Sequence, residues 1–254
     1  MVDACPLSWA RYEGDAIGVF IPWIFLPESA DAKMLPAMVD AERLYTELAA
    51  AYVRGELPEA APDLKDEELL ELGRAAGLKL HRFKRTIELP RVRAVLGILR
   101  GIVPQNLLDI GSGRGVFLWP LLNEFPELPV TAVEPDARRR AHLEAVRRGG
   151  IDRLGVLAAN AQQLACADGA FDVVTILEVL EHQVYPMPLA REAIRVARRF
   201  VVVSVPSTPD DNPEHVQLFT GATLPQLLRE AGAANVRVDY VLNHIIAVAR
   251  VERR

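Results

Sequence analysis

The sequence feature that most constrains the fold of this chain is a glycine-rich turn. It lies between an apolar run and a segment with helix-period apolar residues. The run from Asn106 to Ile110 is short and flanked by breakers, which favours a buried parallel strand over a helix. Gly111, Gly113 and Gly115 follow as a G-x-G-x-G turn. Glycine permits positive φ and lets a ligand lie against the backbone, while the amides that open the next helix face the same place. The stretch therefore predicts a nucleotide-like ligand on a strand–turn–helix unit.

Strand-like and helix-like segments alternate after the turn, which predicts an α/β fold with a largely parallel sheet covered by helices on both faces. The last two strands are separated by only a few residues, too little for a crossover helix, so we expect an antiparallel terminal hairpin and a mixed sheet. The predicted strands are Leu107–Ile110, Val130–Val133, Gly155–Ala158, Asp172–Leu177, Phe200–Val205, Val236–Tyr240 and Ile245–Val251.

Residues from Met1 to about Pro62 lack glycine turns and strand alternation, and helix-period apolar stripes recur over roughly the first hundred residues. Helices are predicted at Asp40–Arg54, Lys65–Ala76 and Pro90–Ile102. We therefore predict two regions: an α-helical N-terminal region over 1–100 that covers the site and shapes acceptor binding, and an α/β domain over 101–254.

Composition excludes several classes of protein. The formal net charge is −5, so the chain as a whole is not a polyanion binder, and we interpret its basic runs at 82–93 and 138–140 as solvated helix faces. The apolar cluster Val19–Leu26 is too short to span a membrane and reads as core or a docking edge. Only Cys5 and Cys166 are present, without metal-type spacing, which predicts a reducing, cytoplasmic location.

Polar residues at the strand ends limit which nucleotide-like ligand can bind. Glu134 ends the second strand, where a carboxylate can accept both hydroxyls of a ribose, and Asn160 and Gln162 after the third strand offer amides to an adenine edge. Dinucleotide-binding proteins carry the motif G-x-G-x-x-G, but here the third glycine comes one residue early. Asp109 would also repel a pyrophosphate. The turn therefore favours S-adenosylmethionine, whose positive sulfur tolerates nearby acids.

The segments LLDIGSGRG, VTAVE and FDVVTILEVLEH resemble the successive motifs of class I S-adenosylmethionine-dependent methyltransferases, of the type 11/12-like kind. The resemblance implies a Rossmann-like seven-stranded mixed sheet whose last strand inserts antiparallel. It also implies methyl transfer to an oxygen, nitrogen or carbon of an acceptor that it does not identify, and we predict a small molecule. By residue, it implies that Asp109, Gly111, Ser112, Gly113 and Gly115 line the methionine moiety, that Glu134 holds the ribose, and that Asn160 and Ala161 meet the adenine.

The segment after the fourth strand carries a second candidate site. If it is helical, Glu178, Glu181 and His182 project from one face at i, i+3 and i+4, and with His215 they could bind a divalent ion such as manganese, magnesium, iron or zinc. This arrangement is similar to that of small-RNA 3′-terminal 2′-O-methyltransferases, which implies an RNA 3′ end as alternative acceptor. The tryptophan usual in that family is Phe219 here.

The same E-x-x-E-H pattern also resembles small-molecule methyltransferases, including the quinone-biosynthesis type, in which no metal is implied. In that interpretation Glu178 and Glu181 are polar pocket groups and His182 caps or packs a loop. The candidate catalytic residues are Glu178, His182 and His215, with either imidazole as general base, although alignment alone can accelerate methyl transfer. His81, His142 and His244 are predicted to be structural or solvated. A non-catalytic nucleoside-binding module is the alternative of another class.

Overall fold

A seven-stranded sheet organises the residues that this computed structural model describes, which are 44–60, 64–87 and 89–252. Its strands are β1 (Leu107–Ile110), β2 (Val130–Val133), β3 (Leu154–Leu157), β4 (Phe171–Leu177), β5 (Ala197–Pro206), β6 (Asn235–Val241) and β7 (His244–Arg250). The spatial order is β3-β2-β1-β4-β5-β7-β6. β7 runs antiparallel to β5 and β6, and every other pair is parallel. All seven predicted strands and the terminal hairpin are confirmed.

Helices cover both faces of this sheet. They are α1 (Thr46–Glu56), α2 (Asp66–Ala75), α3 (Pro90–Ile102), α4 (Leu118–Glu124), α5 (Ala137–Arg148), α6 (Pro186–Val196) and α7 (Thr223–Glu230). One core lies between the sheet and α1–α5, and a second lies between the sheet and α6 and α7. Alternation along β1 feeds both cores, since Leu107 belongs to the first and Leu108 to the second.

The first helix begins later than the sequence pattern indicates. Residues 40–43 lie outside the described residues, and Leu44 forms a β-bridge with Lys84 instead of a helical turn. The Tyr45 amide donates to the Phe83 carbonyl at 2.9 Å, which ties this backbone to a neighbouring segment before the helix starts. α2 and α3 agree with prediction to within a residue at each end.

Helices α1 and α5 pack at backbone contact. A Cβ on Gly55 would lie 1.9 Å from the Ala145 carbonyl oxygen, and one on Gly149 would lie 1.7 Å from the Ala51 carbonyl oxygen. Buried side chains of α1, α2 and α3 belong to the same core as side chains of β1 and β2. A separate role for residues 1–100 in covering the site stays a prediction.

Two sequence features lie outside the described residues, namely Cys5 and the apolar cluster Val19–Leu26. Within the described ranges, every helix is too short or too polar to cross a bilayer.

Candidate functional site

A cavity of about 870 Å³ opens at the carboxyl ends of β1, β2, β3 and β4. This is the edge of an open α/β sheet at which ligands bind. Seven of the eight predicted cofactor residues line it, all except Gly115: Asp109, Gly111, Ser112, Gly113, Glu134, Asn160 and Ala161. Glu178 and His182 line the same cavity. Two sets of residues that were predicted separately therefore face one space.

The three glycines of the turn have different surroundings. Gly113 has φ +58, and the only atom near a Cβ there would be the Gly111 carbonyl oxygen at 3.7 Å, so this backbone faces open space. Gly111 has φ +77 and lies against Val179. Gly115 does not line the cavity, because the Trp119 indole occupies the place of its side chain. Of the three glycines, only Gly111 and Gly113 line the cavity.

Glu134 joins the end of β2 to the glycine turn. Its Oε2 accepts a hydrogen bond from the Gly113 amide at 2.8 Å, and its Oε1 accepts one from the Asp136 amide at 2.9 Å. The side chain is buried, and each carboxylate oxygen keeps a further lone pair. A fixed carboxylate with spare acceptor capacity fits a ribose diol.

Asp109 lies beneath the turn as a buried carboxyl. Its two oxygens accept hydrogen bonds of 2.7 Å from Ser112 Oγ and Thr175 Oγ1. Burial raises the pKa of Asp109, and these two hydroxyls act in the opposite direction. The carboxyl groups of Asp109 and Glu134 therefore lie on the same side of the cavity.

The loop after β3 supplies an amide to the cavity. Asn160 Oδ1 accepts from the Gln162 amide at 3.0 Å, which fixes the side chain in an Asx turn. The Asn160 NH₂ group is left as the donor for a ligand, next to Ala161 on the cavity wall.

Glu178 stands at the end of β4 in the left-handed region, with φ +59. Its Oε1 accepts from Ser204 Oγ at 2.8 Å, and its Oε2 lies 3.1 Å from His244 Nε2. Arg91 Nε lies 3.7 Å from the same carboxylate. A non-glycine residue in this conformation costs energy and is held by its surroundings, a feature that clusters at functional sites.

Sequence reasoning missed three residues of this network. His244 was predicted to be structural or solvated and was not linked to the site, and its imidazole pairs with Glu178. Ser204 and Arg91 line the cavity and were not singled out. For His244 an indication existed: β7 runs antiparallel beside β5, so its first residue lies at the carboxyl edge, paired with Pro206.

The segment after β4 is not the helix on which the four-residue metal site depended. Leu180–His182 is a short 3₁₀ turn, and Glu178 belongs to the strand end, so Glu178 does not share a face with Glu181 and His182. The structure instead brings Glu181, His182 and His215 together, with one donor atom of each within 4.8 Å of the others. Glu178 is directed to Ser204 and His244.

Glu181 is buried, and neither carboxylate oxygen has a hydrogen-bond partner among the described residues. Burial raises the pKa of Glu181 to about 8, with Glu178 contributing in the same direction. A buried carboxyl without hydrogen bonds is costly and calls for a partner.

The two imidazoles beside Glu181 are oriented by their other nitrogens. His182 Nδ1 donates to the Glu214 carbonyl at 2.9 Å, and His215 Nδ1 lies 2.9 Å from Asp210 Oδ2. Their ring centroids are 4.8 Å apart. Each Nε2 therefore keeps its lone pair available, as in metal-binding histidines held by a hydrogen bond at the second nitrogen.

Comparison with known proteins identifies the family and the fold of the chain. A family model described as a methyltransferase domain matches residues 45–238. The fold resembles the crystal structure of a SAM dependent methyltransferase from Aquifex aeolicus, with a TM-score of 0.55 and 20% identity, over 65% of this chain and 92% of that one.

Two curated proteins match shorter stretches. A ribosomal RNA small subunit methyltransferase G from Sorangium cellulosum is 44% identical over 73 residues, which are 28% of this chain and 30% of that protein. A tRNA U34 carboxymethyltransferase from Photorhabdus laumondii is 34% identical over 95 residues, which are 37% of this chain and 29% of that protein. The chain thus matches less than a third of the length of either relative.

Proposed function

Because the chain belongs to the methyltransferase domain family, we propose that it is an S-adenosylmethionine-dependent methyltransferase whose acceptor is a small molecule that binds in the cavity described above. The observation that carries this proposal is the shared cavity, in which the cofactor-type residues and Glu178 and His182 face one space. Its volume of about 870 Å³ falls within the range of small-molecule sites, roughly 300–1,000 Å³.

S-adenosylmethionine supplies a methyl group on a positively charged sulfur, and the acceptor nucleophile can be an oxygen, nitrogen or carbon atom. In our proposal Gly113 and Glu134 bind the nucleoside part, with Asn160 at the adenine. Asp109 contributes negative charge beside the sulfonium. These assignments are supported by the positive φ and open space at Gly113 and by the two backbone amides that fix Glu134.

Glu178 is our choice for the group that holds the acceptor. Ser204 and His244 fix its carboxylate, so it can accept a hydrogen bond from an O–H or N–H of the acceptor without losing its orientation. His182 lines the cavity and is the imidazole placed to take a proton from such a nucleophile. The second imidazole, His215, does not line the cavity among the described residues.

Two measurements test this proposal. Calorimetry with S-adenosylhomocysteine should show binding that Glu134→Gln weakens at least tenfold, since one hydrogen bond to a charged group is worth about 1.5–3 kcal/mol. Incubation with labelled S-adenosylmethionine and separate pools of extracted metabolites and RNA should label a metabolite, and Glu178→Gln should abolish labelling. Labelling confined to RNA would contradict the small-molecule acceptor.

A second candidate function is metal-dependent 2′-O-methylation of an RNA 3′ end. It is favoured by the buried, unpartnered Glu181 carboxylate beside two oriented imidazoles. A carboxylate with two imidazoles suits manganese, iron or zinc, and a bound ion would grip the terminal ribose hydroxyls. The names of the curated relatives also support this candidate, since they refer to ribosomal RNA and tRNA.

Metal content separates the two candidates without an activity assay. Protein purified without chelator should hold one divalent ion per chain by mass spectrometry of the elements, and Glu181→Gln should lose it. Glu178→Gln is the matched control and should keep the ion, because Glu178 pairs with Ser204 and His244 instead. Metal-free wild-type protein would rule out this second candidate. No observation favours a non-catalytic nucleoside-binding module, and the cytoplasmic location stays a prediction.

A further inference from the structure

Exposed apolar side chains occur in two segments that closely follow cavity-lining residues along the chain. Eight large apolar side chains are exposed in the described part of the chain, and four of them fall in two short segments, at 184–185 and 216–218. They are Val184, Tyr185, Val216 and Leu218, which we call the apolar rim. Single exposed apolar residues are ordinary on protein surfaces, but a contiguous group marks a binding surface.

Hydrogen bonds hold the two segments of the apolar rim together. Gln217 Nε2 donates to the carbonyls of Gln183 and Val184, at 2.7 and 2.8 Å. The amides of Val216 and Gln217 both donate to the Glu181 carbonyl, at 2.9 and 3.2 Å. These bonds satisfy polar backbone groups of both segments and hold the segments side by side.

The apolar rim is continuous with the cavity along the chain. His182 and Gln183 line the cavity and lead directly into Val184, while Glu214 lines it two residues before Val216. Val116, a fifth exposed apolar side chain, lies on the cavity wall itself. A ligand whose reactive end lies near Glu178 and whose remainder extends outward can therefore reach this surface.

We propose that the apolar rim binds the hydrocarbon part of the methyl acceptor. The acceptor is then an amphiphilic small molecule, with a nucleophilic O–H or N–H directed to Glu178 and an aliphatic or aromatic body on the rim. This inference rests on the proposed function and names the class of substrate. Burial of the exposed valines and Tyr185 against that body supplies affinity in proportion to the apolar area removed from water.

The test uses a homologous series of 4-alkylphenols, from ethyl to octyl, titrated by calorimetry into the full chain with and without saturating S-adenosylhomocysteine. The dissociation constant should fall about two- to fourfold with each added methylene over the first few carbons. Val184→Ser and Val216→Ser should flatten this dependence and weaken octylphenol binding about three- to tenfold.

Val103→Ser is the matched control, since Val103 is 72% exposed against 63% for Val184 and lies away from the cavity at the end of α3. It should leave the phenol series unchanged. The proposal is overturned if affinity does not depend on chain length, if no phenol binds, or if the control has the same effect as Val184→Ser. It is also overturned if Val184→Ser only lowers the oligomeric state in light scattering, because the rim would then be a contact between copies.

Separate titration of S-adenosylhomocysteine distinguishes failure of the proposed function from failure of the proposal about the apolar rim. If that ligand binds and the phenols show no chain-length dependence, only the apolar rim is wrong. If it does not bind, the proposed function is wrong, and the titration of the free chain still decides whether the rim takes hydrocarbon.

Discussion

Substituting alanine for Gly115 tests how the glycine turn is built. A Cβ at this position would lie 2.0 Å from Trp119 Cε2, and the residue has φ +83. The Trp119 ring cannot move aside freely, because it is buried and its Nε1 donates to the carbonyls of Arg82 and Arg114 at 3.1 and 3.0 Å. We therefore expect Gly115→Ala to destabilise the fold through both backbone strain and displacement of the indole.

Two contributions set the expected loss in the free energy of unfolding. A left-handed conformation costs an L-residue roughly 1–2 kcal/mol. Forcing an extra carbon into a packed core costs about 1–3 kcal/mol more. The free energy of unfolding should therefore fall by about 2–5 kcal/mol, which lowers Tm by roughly 5–15 °C in a domain of this size.

Urea and thermal unfolding followed by circular dichroism measure this loss. Gly77→Ala is the matched control, because Gly77 has φ +76 but no atom within 4 Å of its Cβ position. The control should show only the backbone cost of roughly 1–2 kcal/mol. Equal losses in the two variants would refute the reasoning, since the contact with Trp119 would then contribute nothing.

Three further predictions concern the cavity and the charges around the sheet. Gly113→Ala should unfold much like Gly77→Ala but bind S-adenosylhomocysteine at least tenfold more weakly in calorimetry, because its new methyl group would project into open cavity space. Asp172→Asn should lower the free energy of unfolding by about 2 kcal/mol at pH 7. Hydrogen bonds from Arg199, with help from Arg198, hold the pKa of Asp172 well below its usual range. The charged carboxylate therefore stabilises the fold above the unfolded-state pKa of about 4, and wild-type stability should fall below that pH while the variant loses less; urea unfolding at pH 7 and pH 3 checks the sign. His244→Ala should slow transfer to the acceptor by about tenfold without changing S-adenosylhomocysteine binding, and His244→Asn should restore part of the rate if the imidazole positions Glu178.

Local patterns predicted the sheet well, and they singled out residues that line one cavity at its edge. β1, the glycine turn and Glu134 follow from short apolar runs with polar ends, and parallel strands bring such ends to one edge. The proximity of Glu134 to Gly113 follows from the same rule, because β1 and β2 are neighbouring parallel strands and each residue comes just after the carboxyl end of its strand.

The surroundings of Glu178 depend on contacts that no local pattern encodes. Glu178 and His244 are 66 residues apart, and they meet because β7 inserts between β5 and β6. Spacing along a presumed helix grouped Glu178 with Glu181, yet Glu178 has a left-handed backbone and pairs with Ser204 and His244, whereas the Glu181 carboxylate lies near His182 and His215. The role of Gly115 was likewise hidden, because it depends on where Trp119 packs.

The insertion of β7 between β5 and β6 also has a consequence for biosynthesis. During translation β5 has no partner on one side until residues 244–250 have left the ribosome, so its backbone groups stay unpaired while the rest of the sheet forms. Since β7 also carries His244, the Glu178 carboxylate gains its last fixed partner only at that stage. A nascent chain arrested before residue 244 should therefore be able to form the contact between Glu134 and Gly113 while Glu178 still lacks His244.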